Sequence, residues 1–69
     1  MARPKPLPNR SEFDSDEAFV DAMLTAMPAQ TQQYAIRNRA SAVALAAEGW
    51  SAEVVHLELL SNFVFALTD

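Results

Sequence analysis

Residues 51–67, SAEVVHLELLSNFVFAL, carry more apolar positions than one face of a surface helix needs. At 100° per residue, Val55, Leu59, Phe63, Leu67, Leu60, Val64 and Leu57 cover well over half the circumference, wider than an ordinary apolar stripe. Phe65 falls on the opposite side, beside Glu58, Ser61 and Asn62. No Gly or Pro interrupts the run, Ser51 can cap its free amides and Glu53 suits its positive end, so the pattern predicts a helix over 52–67.

Two further periodic stretches precede it. Asp14 and Glu17 have the spacing of a capping box, with Phe13 placed to pack back on the first turn, and a helix follows over about 15–27. Its apolar face is Phe19, Val20, Met23, Leu24, Ala26 and Met27, and Glu17, Asp21 and Thr25 form the wet one. Pro28 stops this helix and suits the first position of the next, which is predicted to run over 29–48 and to end at Gly49 in the left-handed conformation. Along that helix Ile36, Ala40, Val43, Ala47 and then Trp50 repeat at spacings of four and three, the pattern of a close-packed helical seam. A second, all-small row, Ala35, Ala42 and Ala46, runs beside it. Residues 1–10, with Pro4, Pro6 and Pro8, read as an extended arm, either a solvated tail or a strap laid along a partner with Leu7 as its anchor.

Composition turns this pattern into a fold class. A chain of 69 residues forms one domain, here 11–69, and buries only about 60% of the surface it exposes when unfolded. The usual reinforcements are disulfides, a metal or association. There is no Cys, and His56 is the only His, so neither a disulfide nor a thiolate or imidazole metal site is expected, and no cofactor is expected either. Hydrophobic residues at 51% against 20% charged mark a folded chain, and the single Gly with abundant Ala, Leu and Gln marks an all-α one. The reading is therefore an all-α, three-helix chain whose core is completed by a second copy. Ile36, Ala40, Val43, Ala47, Leu57, Leu59, Leu60, Phe63, Val64 and Leu67 are the expected core and dimer positions.

Charge limits the partners. The net charge of −4 opposes capture by nucleic acid or by an anionic membrane, and no apolar run approaches the roughly 20 residues of a bilayer span. With no signal-peptide pattern, a cytoplasmic location is expected. The expected partner-binding residues are Tyr34, Arg37, Asn38, Arg39, Trp50 and Phe65. Tyr34, Arg37 and Asn38 lie with Ser41 and Leu45 on a mixed face, and Tyr and Arg are common in binding hot spots. Arg39 projects between two rows of small residues. It either snorkels to water or pairs with a carboxylate, from Glu53, Glu58 or an acid of the first helix. Trp50, in the turn, is expected to plug the end of the core, or to anchor a contact if exposed. His56 reads as a hydrogen-bonded core or interface residue.

Catalysis finds no footing in these residues. Ser41, Ser51 and Ser61 have no base and orienting group in a recognisable arrangement, and a Gly-rich phosphate loop is ruled out by the single Gly, so no enzyme is expected. A helix-turn-helix over 44–60 has Gly49 in its turn and Val55 at the spacing for a buried crossing contact. Its second helix, AEVVHLEL, carries Glu53 and Glu58 and nothing to meet phosphates or base edges. That leaves a protein-binding module as the preferred reading, with a small DNA-binding regulator or a structural subunit of a larger complex as alternatives.

Two stretches, AIRNRASAVALAAEGW and SAEVVHLELLSNFVFAL, make a helical pair. With the short length, the high Ala content and the missing catalytic constellation, they give a layout similar to the small early proteins with which temperate bacteriophages disable host machinery. It most resembles the quorum-sensing anti-activators, short helical proteins that bind LuxR-type transcription regulators and, in some cases, a pilus-assembly ATPase. The resemblance lies in layout and carries no binding residue across. It implies an inhibitor of one or more bacterial host proteins, acting in the host cytoplasm.

Overall fold

A computed structural model describes the backbone of residues 7–68 and the side chains of residues 7–61. Arg10 fixes where the first long helix begins. Its Nε donates to Asp16 Oδ1 and its Nη1 to the Phe13 carbonyl, both at 2.7 Å, which folds the chain over a short 3₁₀ turn at Arg10–Glu12. Of the expected arm over 1–10, Arg10 belongs to this turn, and residues 1–6 lie outside the described residues. Phe13 packs back on Phe19 as expected, with ring centroids 5.9 Å apart.

Helix α1 spans Asp16–Thr25, and its cap is Ser15, not Asp14: the Ser15 hydroxyl accepts from the Ala18 amide at 3.1 Å. The Arg10 clamp draws Asp16 into the first turn, so the extended residue just before it does the capping, and Asp14 stands one position too early. The helix also stops before residue 27. The Gln32 side-chain amide donates to the Met27 carbonyl at 2.9 Å, satisfying a group that helix continuation would have used. Pro28, with ψ of 151°, stands outside the second helix as its cap and not inside as its first residue.

The expected single helix over 29–48 is broken. It consists of α2, Ala29–Ala35, a 3₁₀ turn at Ile36–Asn38, and α3, Arg39–Ala47. The break centres on Asn38, whose backbone leaves the helical region at φ −102°, ψ 10°. Its amide donates to Ser61 Oγ at 3.0 Å and to the Leu59 carbonyl at 3.4 Å, both on the last helix, α4, Ala52–Thr68. A short polar side chain with a fixed partner across the core competes with helix continuation. Gly49, at φ +90°, supplies the left-handed turn between α3 and α4, as its position in the sequence predicts.

Helix α3 packs against both α1 and α4, and α2 also packs on α4. The core is built of large residues from the outer helices, Phe19, Val20, Met23 and Leu24 of α1 and Val55 and Leu59 of α4, around Ala35, Ala42 and Ala46 of the middle segment. Small residues between large ones let the helix axes approach closely. The described helices account for all regular structure, so the fold is all-α. The body measures 35 × 33 × 17 Å, about two helices thick.

Candidate protein-docking surface

The middle segment, residues 35–47, has two apolar sides, and the structure buries the one made of smaller residues. Ala35, Ala42, Ala46 and Asn38 face the core, whereas Ile36, Ala40 and Ala47 face solvent and Val43 is half-buried at the border. The intrachain seam thus runs along the all-small row, and the Ile36–Ala40–Val43–Ala47 row is left on the outside. The phase is set by the two long-reaching side chains of the segment. Asn38 is held against α4, and Arg39 is held against α1, where its Nε donates to Asp21 Oδ1 at 2.6 Å and its Nη2 to Asp21 Oδ2 at 3.0 Å. With those two residues fixed on either side of the core-facing arc, Ile36 and Ala40 have to turn outward.

Of the two readings open for Arg39, the ion pair is the one realised, and its partner is an acid of the first helix. Both side chains keep contact with water, at 37% and 50% exposure for Arg39 and Asp21. The Arg39 hydrogen bonds hold the Asp21 carboxyl below the ordinary aspartate range, and the Asp21 carboxylate raises the guanidinium in turn. The sequence reading places Asp21 on a wet face; the signal that could have paired the two is the bidentate geometry that Arg offers a carboxylate, once α1 and α3 are taken as neighbours.

Three large hydrophobic side chains are exposed among the described residues: Ile36 at 59%, Trp50 at 53% and Leu57 at 65%. Trp50 does not plug the end of the core. Its turn is closed by Gly49 one residue earlier, which directs the indole outward, where its N–H donates to Glu48 Oε2 at 3.3 Å. Leu57 stands on the outer face of α4 with Glu53, and Leu60 is half-buried against the core.

The expected partner-binding set is divided by the fold. Arg37 is exposed and Tyr34 half-buried, but Asn38 is buried, its amide engaged by α4, so it belongs to the core and not to a contact face. Leu59 is fully buried within its own chain, as is Val55, so these two need no second copy to cover them. The side chains of Phe63, Val64, Phe65 and Leu67 lie outside the described residues. His56 is half-buried on α4. Among the described residues no group of acids and histidine is placed to hold a metal ion, and no helix is long and apolar enough to cross a membrane.

Comparison with protein families, with characterised proteins and with solved structures returned no match to the chain.

Proposed function

We propose that this protein is a small, non-enzymatic helical binding module that works as a homodimer and inhibits or modulates another protein by laying an apolar helix face against it. The observation that carries the reading is the exposure of Ile36, Trp50 and Leu57 on a chain that buries its other described large hydrophobic side chains wholly or in part. Isolated exposed hydrophobics are ordinary, but several large ones on a 69-residue chain offer a partner enough area for helix-in-groove recognition. The resemblance in layout to the phage anti-activators supports bacterial cytoplasm as the setting and selects a LuxR-type regulator and a pilus-assembly ATPase as the first targets to test.

Titration calorimetry of the chain against each purified target tests the reading. Leu57→Asp is expected to abolish binding while leaving the helical circular dichroism unchanged, because Leu57 contributes little to its own core. Failure of the wild-type chain to bind either target removes these two assignments, and binding that survives Leu57→Asp together with Ile36→Asp removes the apolar-face reading itself.

The left-handed turn at Gly49 favours a second reading, a helix-turn-helix regulator built from α3 and α4. Its would-be recognition helix presents Glu53 and Leu57 to solvent, which repels phosphate and offers no base-edge donor. A salt-dependent mobility shift on duplex DNA would establish that reading over the first.

A further inference from the structure

The turn between α3 and α4 carries exposed apolar side chains whose neighbouring charges all have one sign. Trp50 is 53% exposed and Leu57 65%, and half-buried Val54 adjoins Leu57 on the surface of α4, three residues before it. Glu53, four residues before Leu57 on the same helix, adjoins it too and is exposed. Glu48 comes to the same place from the end of α3, where its Oε2 accepts the Trp50 indole N–H at 3.3 Å. Three residues of chain separate Trp50 from Glu53, a span of at most about 11 Å, so both carboxylates border the indole.

These acids differ from those of α1. Asp16 is met by Arg10 and Asp21 by Arg39, whereas Glu48 and Glu53 enter no ion pair among the described residues. The chain around them has no cation to offer: residues 40–69 contain no Lys or Arg, and their one basic group is His56, half-buried. The negative end of α3 adds to the potential at Glu48, and Glu53 offsets the positive start of α4.

Charge of one sign selects among occupants. A second copy packed on this patch by a two-fold axis would set each acid against its own counterpart, which is repulsive. Nucleic acid and anionic lipid are repelled in the same way. What complements an indole and a leucine bordered by unmatched carboxylates is a segment with Lys or Arg beside apolar residues. Its cation can lie on the indole face and meet the carboxylates while its alkyl stem and apolar neighbours cover Leu57.

We infer that the α3–α4 turn and the first two turns of α4 dock a basic amphipathic segment of another protein, with Trp50 and Leu57 as apolar anchors and Glu48 and Glu53 as counter-charges. The inference rests on the binding-module reading above and names the chemistry of the segment bound.

Trp50 is the only Trp, so its emission reports on this surface directly. The probe is a synthetic amphipathic helix of Leu and Lys, about 18 residues or five turns long and free of aromatics; the control carries Glu in place of every Lys. The full chain is expected to show a saturable blue shift of Trp50 emission with the lysine peptide, weaker as salt rises, and none with the glutamate peptide. By calorimetry, Trp50→Ala should weaken binding by about tenfold or more, and Glu48→Gln with Glu53→Gln by about threefold to tenfold. Asp14→Asn with Glu17→Gln removes the same charge from exposed positions elsewhere and should change affinity by less than about twofold. Unchanged helical circular dichroism shows that each variant folds. No blue shift up to about 1 mM lysine peptide overturns the inference, as do equal binding of the two peptides or a loss as large in the Asp14/Glu17 variant as in the Glu48/Glu53 one. An emission shift that follows the concentration of the chain alone gives the surface to a second copy and overturns it too. A target bound through Leu57 without dependence on salt or on Glu48 and Glu53 defeats this assignment and leaves the binding-module reading standing. Target binding that survives Leu57→Asp with Ile36→Asp, while the lysine peptide behaves as described, does the reverse.

Discussion

The two sides of the middle segment, residues 35–47, have nearly the same composition and opposite fates. Inward stand Ala35, Ala42 and Ala46 with Asn38 among them; outward stand Ile36, Ala40 and Ala47 with Val43 at the edge. By hydrophobicity alone the outward row is the better core, since it holds the larger aliphatics. It is the inward row that shares one buried cluster with Phe19 and Met23 from one helix and Val55 and Leu59 from another, where methyl groups let bulky neighbours close in. Complementary volume decides which side is buried, and polar anchors at Asn38 and Arg39 lock the choice.

The strongest way to break this contrast is to fill the inward side. Ala42→Leu forces a branched side chain into a fully occupied space and is expected to cost about 1–3 kcal/mol, read as a lower urea midpoint at unchanged slope. For a chain of 69 residues, whose total stability is roughly 3–10 kcal/mol, that is a large share of the whole.

The anchor between α3 and α1 gives a smaller, pH-dependent effect. Because Arg39 holds the Asp21 carboxyl below the ordinary aspartate range in the folded state, its contribution is present above that range and lost as pH falls through the lowered value. The melting temperature of the wild-type chain should exceed that of Asp21→Asn at about pH 6, and the gap should close towards about pH 3. Since both groups remain in contact with water, the gap should also shrink in high salt. A gap that widens with acidity would mean that the pair does not act as the geometry implies.

The smallest effect belongs to the mirror substitution. Ala40→Leu adds the same atoms as Ala42→Leu to the same helix, but on its solvent side, and should change the unfolding free energy by no more than about 0.5 kcal/mol, read from urea titration of dilute protein. Equal costs at the two positions would show that the phase of α3 is not the one described.

Much of the fold was legible in the order of residues. The all-α class, the helix over 52–67, the apolar face of the first helix apart from the exposed Ala26, the Phe13 contact and the left-handed Gly49 follow from periodicity and capping chemistry, which act over a few residues. What was not legible depends on distant partners. Ser15 caps in place of Asp14 because Arg10 holds Asp16; the middle helix breaks because Asn38 reaches Ser61; Trp50 turns outward because of how its loop closes. The orientation of α3 is of the same kind, since two apolar rows on one helix are equivalent until their neighbours are in place. Of the candidate contact residues, Arg37 is exposed as surface reasoning expects, whereas Asn38 was misread because a buried polar residue with a partner across the core looks, in a string of letters, like any surface amide.

A body only 17 Å deep also limits the manner of recognition. A drug-sized molecule needs a hollow of some 300–1,000 Å³ around it, and a wall two helices deep would have to be emptied of its own packing to make one. A partner docked as proposed on Ile36, Trp50 or Leu57 would meet this body by apposition, as one plate laid on another, and its selectivity would come from outline and the placing of charge.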